Sequence, residues 1–190
     1  GRGFLAPAQA GQQRALEQAY EVSGISPGQV SLLECHATGT SVGDATEIKS
    51  TATVYADCHE VPIGSLKSNM GHLITAAGTA GLIKVLEAMS HAQRPPTLHT
   101  EIANPALDGS PLRVLQENED WNCEGPRIAG ISAFGFGGNN AHLLVSEEHA
   151  SIEATETPVP MEREALAIVS AGALVGATRG AQALSHLLLS

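Results

Sequence analysis

A chain of 190 residues with a hydrophobic fraction of 43% can bury one sizeable core and part of a second, which argues against disorder over most of its length. Twenty acidic against ten basic residues give a net charge of −10, which speaks against nucleic acid as a partner, because neutralising phosphate takes clustered Lys and Arg. Three scattered cysteines (Cys35, Cys58 and Cys123) with no CxxC pair speak against a disulfide framework or a zinc cage and suggest the reducing cytoplasm, and no apolar run approaches the ~18 residues of a membrane span.

In chain order, residues 8–23 read as a helix, with Ala15, Leu16 and Tyr20 at helical spacing and Gly24 as a stop. Residues 30–35 form a short apolar run expected as a buried strand, 44–55 a helix, and 61–65 a second strand. The Ala- and Leu-rich residues 74–90 give the clearest helix, closed by Pro95 and Pro96. Residues 97–125 read as loop with one short strand at 112–115, and 127–133 and 141–145 as two strands joined hairpin-fashion by a glycine-rich turn. Alternating strands and helices ending in paired strands imply an α/β layered fold. Composition then changes. Residues 147–164 are acidic, Pro-bearing and aperiodic, as linkers are, and 165–190 read as the start of a following domain, a strand at 166–169 and a helix from about 180. The opening Gly1-Arg2-Gly3 runs directly into folded-looking sequence without an initiator Met, so the piece is expected to derive from a longer chain.

Three segments concentrate chemistry. In Glu34-Cys35-His36-Ala37-Thr38-Gly39-Thr40, a histidine ends a buried strand and opens into a turn before a helix. In Lys67-Ser68-Asn69-Met70-Gly71-His72 a histidine again follows a strand and precedes a helix. The turn from 134 to 140 carries Phe134, Phe136 and Asn140, with His142 just beyond. Taken singly, a strand-end histidine is more often a structural hydrogen-bonder than a catalyst, and a glycine turn followed by a strand is not a dinucleotide fingerprint. Cys35-His36 and Cys58-His59 cannot act as nucleophile dyads, because neighbours on a strand point to opposite faces. Two histidines at matching strand ends raise the functional reading: neutral imidazoles can both donate Nε2–H to an oxygen that becomes negative in a transition state, which suits acyl thioester chemistry.

These segments resemble the β-ketoacyl synthase family. Residues 34–40 are similar to its E-A-H-G-T-G-T element, with Cys35 and Ala37 as departures; 64–72 match G-S-x-K-S-N-x-G-H at every fixed position; 132–142 resemble S-x-F-G-F-G-G-T-N-A-H, with Asn139 in place of Thr. The likeness runs from residue 1 to about 146, and its form is most similar to polyketide and polyunsaturated-fatty-acid synthases. The resemblance implies the C-terminal half of a layered thiolase-like (αβαβα) fold in 1–146. It also implies a decarboxylative Claisen condensation. An acyl-cysteine, whose cysteine would lie upstream, is joined to malonyl-acyl carrier protein to give a β-ketoacyl thioester. On the same basis His36, His72 and Lys67 are the expected catalytic residues, with Lys67 ion-paired to Asp44 or Glu47. Thr38, Thr40, Phe134 and Phe136 are expected along the pantetheine arm and acyl substrate, and Asp44, Glu47, Asn69 and Asn140 as structural support. No metal or directly bound cofactor is implied; the phosphopantetheine comes on the acyl carrier protein, and the expected partner is a second synthase subunit, as homodimer or as pairing with a ketosynthase-like unit. Residues 165–190 resemble the opening of such a second unit, with a docking linker helix as the alternative reading.

The competing reading is a non-catalytic, chain-length-factor-like half of a synthase dimer, against which both retained histidines and Lys67 count. Cys35 reads as a small buried apolar residue rather than a nucleophile, and the piece alone is expected to be inactive.

Overall fold

The computed structural model describes residues 6–147 together with 174–175 and 178–179. The chain divides into two compact units, Gly1–Ala150 and Ser151–Ser190. In the second, Leu174–Val175 pairs antiparallel with Thr178–Arg179; the strand expected at 166–169, the helix from about 180 and nearly all of 147–164 lie outside the described residues.

The first unit is mixed α/β. Helix α1 (Gln9–Ser23) buries Gln12, Leu16 and Tyr20, one residue per turn on one face, and ends where Gly24 turns left-handed at φ 68° and its N–H caps the Tyr20 carbonyl. Four strands run parallel: β1 (Leu32–Glu34), β2 (Val61–Gly64), β4 (Leu112–Val114) and β6 (Ile128–Phe134). Strand β7 (Asn140–Ser146) folds back antiparallel on β6, giving the order β4-β2-β1-β6-β7. The glycine turn thus makes the expected hairpin, its register running from Phe134 opposite Asn140 to Ile128 opposite Ser146.

Helices cover both faces. Side-chain alternation sends Leu33, Ile63, Ile128 and Phe134 into one core with Leu16 and Tyr20 of α1 and Ile48 of α2 (Ser41–Val54). Leu32, Ala129 and Ile131 enter the other core with Val85, Ala88 and Met89 of α4 (Ala77–Ser90) and with Trp121. Strands buried on both faces read as continuous apolar runs, which is why they are legible in the sequence.

Three elements differ from expectation. Helix α2 begins at Ser41 rather than 44, with Asp44 in its first turn, where a carboxylate meets free backbone N–H groups. The helix expected from 74 opens as a tight turn at Ile74–Ala76, and a separate one-turn helix α3 (Lys67–Met70) precedes it. Within the expected loop, β3 (Gln93–Arg94) pairs antiparallel with β5 (Glu119–Asp120), held by Glu119, which bridges Arg94 at 3.2 Å and Arg113 at 2.5 Å. Among the described residues no helix is long and apolar enough to cross a membrane.

Candidate active site

Three adjacent parallel strands, β2, β1 and β6, end on the same edge of the sheet, and each delivers one aromatic ring there. His36 follows β1. His72 follows β2 by way of α3 and Gly71, whose φ of 73° with ψ of −173° is a conformation open essentially to glycine alone. Phe134 closes β6. The ring centroids of His36 and His72 are 5.4 Å apart, set edge to face at 81°, and the Phe134 ring stands 6.0 Å from His36.

The environment favours the neutral form of His36 and orients the ring of His72. Burial, seconded by Lys67 and His72, lowers the His36 pKa to about 4. The backbone N–H of Ile74 donates to Nδ1 of His72 at 3.0 Å, which leaves the proton of the neutral ring on Nε2, free to be donated. Ile74 reaches that N–H through φ 52°, a strained value for a β-branched residue.

Two carboxylates, one buried (Glu47) and one half-buried (Asp44), brace the loop after β1. Glu47 of α2 accepts the N–H of His36 and of Ala37, each at 2.7 Å; burial pushes its carboxyl up to about 7, against those two donors and Lys67, which favour the ionised form. Asp44, one turn earlier, accepts from Thr38 N–H at 3.1 Å. Lys67 is drawn down from its ordinary pKa by burial. The expected ion pair of Lys67 with Asp44 or Glu47 is not formed: among the described residues Lys67 makes no salt bridge, because both carboxylates are turned to the backbone of the His36 loop. The buried cation that is paired is Lys84, whose Nζ lies 2.7 Å from Glu34.

The Thr38 and Thr40 hydroxyls lie 3.2 Å apart on the exposed side of the loop, available to a ligand. A cavity of about 560 Å³ adjoins them, lined by Thr38, Asp44, Glu47, Lys67, Thr97 and Leu107. Phe136 sits on the glycine turn, 69% exposed, so Phe134 is the ring that packs on His36. Asn69 accepts a hydrogen bond from its neighbour Ser68 and is exposed; Asn140, at the start of β7, lies against Gly11 of α1, where an added Cβ would stand 3.0 Å from its amide nitrogen. Neither Asn69 nor Asn140 joins the histidine cluster. Cys35 is buried, and desolvation raises its thiol pKa well above the ordinary range, as suits a packing residue.

Sequence reasoning gave no role to Glu34, Lys84 or His142. A charge inside an apolar strand and a lone Lys inside an apolar helix were the available signals, since a buried charge must find a partner. His142 is bonded at Nδ1 to Ser132 (3.0 Å) and at Nε2 to Tyr20 (3.3 Å).

Comparison with known proteins gives two family matches: the beta-ketoacyl synthase C-terminal domain over residues 1–101 and the ketoacyl-synthetase C-terminal extension over 101–188. A phenolphthiocerol/phthiocerol polyketide synthase protein of Mycobacterium tuberculosis is 40% identical over 185 residues, 94% of this chain and 12% of that protein. Polyketide synthase PksL of Bacillus subtilis is 40% identical over 183 residues, 88% of this chain and 4% of that protein. The chain therefore spans a small part of the curated relatives it matches. The ketosynthase from module 6 of the bacillaene synthase of Bacillus subtilis superposes with a TM-score of 0.75 at 37% identity, covering 79% of this chain and 28% of that one. Ketosynthase twelve of the Bacillus amyloliquefaciens bacillaene synthase gives 0.74 at 37%, covering 78% and 28%.

Proposed function

Because the chain belongs to the β-ketoacyl synthase family, and is similar to the C-terminal part of polyketide-synthase ketosynthases with their thiolase-like fold, we propose that it supplies the decarboxylation half of a condensing site. The observation that carries this reading is the convergence of His36 and His72 from two separate strand ends.

The bound substrate would be a malonyl group carried as a thioester on the pantetheine arm of an acyl carrier protein, with the Thr38 and Thr40 hydroxyls available to that arm. The bond between the malonyl carboxylate and its α-carbon breaks, carbon dioxide leaves, and the electron pair passes into an enolate. His72 donates Nε2–H to the developing enolate oxygen and His36, neutral down to about pH 4, is the second donor. Lys67, half-buried and without a salt bridge among the described residues, contributes positive charge near the His36 ring. The enolate carbon then attacks the carbonyl of an acyl group held on a cysteine outside this chain; a carbon–carbon bond forms and the thiolate leaves. The carrier protein, the malonyl and acyl thioesters, a paired synthase subunit and a cytoplasmic setting are the partners and place this reading requires. The narrower polyunsaturated-fatty-acid assignment stands on motif likeness alone and would be tested by identifying the product.

The domain is proposed to end near 146, with a linker over 147–164. The extension match through 188 supports an appended element of the synthase after it; a second ketosynthase-like unit is the alternative. Expression from Glu164 onwards decides between them: a stable layered α/β domain supports the second unit, an unfolded or short helical product the appended element.

In the full-length protein, carbon dioxide release from malonyl-carrier protein tests the mechanism. His72→Ala and His36→Ala are each expected to slow it about 10²–10³-fold, the loss of one preorganised donor. Unchanged turnover in either would remove that ring from the mechanism, whereas no carbon dioxide release by the parent itself would return the non-catalytic, chain-length-factor-like reading.

A further inference from the structure

Glu34 is the last residue of β1, and Lys84 lies in the middle of α4. Their side chains are 5% and 9% exposed and meet at 2.7 Å through Oε2. The other carboxylate oxygen, Oε1, accepts the backbone N–H of Leu66 at 2.7 Å, and Leu66 is the residue that opens α3 immediately before Lys67. One carboxylate thus joins three elements: the strand end two residues before His36, the start of the turn that bears Lys67 and leads to His72, and the body of α4.

The backbone around the pair is cleared for it. A Cβ at Gly81 would stand 3.0 Å from Glu34 Cγ, and one at Gly64 would stand 3.4 Å from Lys84 Nζ and 2.7 Å from Thr97 Oγ1. Stability is a poor reason for the arrangement, because the desolvation of two buried ions offsets most of their attraction. Placement is a better one, since the rate of a preorganised site falls steeply with small displacements of its groups.

We propose that the buried Glu34–Lys84 pair is a positioning device of the site: through Leu66 it sets where Lys67 stands relative to His36 and His72, and it balances the charge that Lys67 experiences. The proposal rests on the roles given to His36, Lys67 and His72 above. The groups facing Lys67 are Glu34 and Cys35 at the end of β1, His36 beyond them, Asp44 and Glu47 on α2, and Lys84 on α4. Glu34 favours the protonated Lys67 and Lys84 disfavours it.

The test is malonyl decarboxylation by the full-length protein, measured as kcat and KM from pH 5 to 10. Glu34→Gln keeps an acceptor for Leu66 but turns an amide donor toward Lys84; it is expected to lower kcat roughly tenfold or more at little change in KM. It is also expected to move the alkaline limb, where Lys67 loses its proton, to lower pH. Lys84→Met is expected to lower kcat similarly and move that limb to higher pH. Lys84→Arg, which restores a cation, is expected to recover most of the kcat. The double variant Glu34→Gln/Lys84→Met leaves no buried ion unpaired and supplies the kinetics if a single variant does not fold; it is expected to melt near the parent and still show the reduced kcat. Wild-type kcat with an unmoved limb would overturn the proposal, and so would losses that track melting temperature with the limb unmoved in both single variants. His36→Ala and Lys67→Met run alongside. If they retain wild-type turnover, the site reading falls and this proposal with it. If they lose turnover while Glu34→Gln and Lys84→Met do not, the positioning role alone is overturned.

Discussion

At the residue scale, the clearest demand in the site is on the two oxygens of Glu47, each accepting one backbone N–H of the His36 loop at 2.7 Å. Glutamine has the same shape and one acceptor. In Glu47→Gln an amide N–H must face a backbone N–H in a buried place, a mismatch worth about 1–3 kcal/mol. The urea midpoint is therefore expected to fall, and decarboxylation in the full-length protein to fall with it as the His36 loop loosens. An unchanged midpoint would show that the loop is held by other contacts. That Glu47 stands as support near the site is what the family resemblance implied, together with Asp44. Its partners were not legible. Motif spacing predicts that a carboxylate is near the site, whereas only the packing of α2 under the β1 loop decides that it faces the backbone rather than Lys67.

At the scale of elements, α1, α2 and the β6–β7 hairpin are joined by one polar network inside an otherwise apolar core. Tyr20 of α1 bonds Tyr55 at the end of α2 and His142 of β7, and His142 bonds Ser132 of β6. Burial raises the Tyr20 pKa to about 12 and lowers that of His142 to about 4, so both stay neutral at physiological pH. The network needs space at Gly130, where a Cβ would lie 2.7 Å from Leu33 Cδ2 and 2.8 Å from two atoms of the His142 ring. Gly130→Ala is expected to destabilise by about 1–3 kcal/mol through overpacking, read as a lowered melting temperature; a wild-type melt would mean that β7 can shift without cost. The helices and strands themselves were largely readable from apolar periodicity. The one-turn helix α3 was not, since four residues are too few to show a period, and β3 with β5 was not, since Arg94, Arg113 and Glu119 find each other only across a fold-back of the chain.

At the scale of the whole molecule, half-buried histidines with lowered pKa set an acid limit. The unfolded chain binds a proton on each of His36 and His142 near pH 6.5, while the folded chain resists until about 4. With the folded pKa depressed, the unfolded state holds more protons between those values, so this contribution to stability is full above about 6.5 and is lost as pH falls through the window. Glu47, raised to about 7, acts with the opposite sign. His142→Gln isolates one group: its urea midpoint is expected to fall less than that of the parent between pH 7 and 4.5. Equal slopes would remove His142 as a titrating contributor. Proteolysis addresses the domain boundary. Brief digestion is expected to cut first within 147–164, and cleavage confined to the glycine turn at 135–138 would count against a linker there.

What the sequence determined by itself was local: apolar runs and helical spacing that mark α1, β1, β2, α4 and the hairpin, and motif strings specific enough to name the family and to nominate His36, His72 and Lys67. Those properties are carried by neighbours along the chain. Tertiary structure alone decided the rest, because it depends on residues far apart in sequence meeting in a medium that cannot leave charges unpaired. The register of β1 against β2 and β6 brought the two histidine rings to 5.4 Å and put Phe134 rather than Phe136 beside His36. The burial of Glu34 made it choose Lys84, fifty residues away, and so left Lys67 without an ion pair of its own among the described residues.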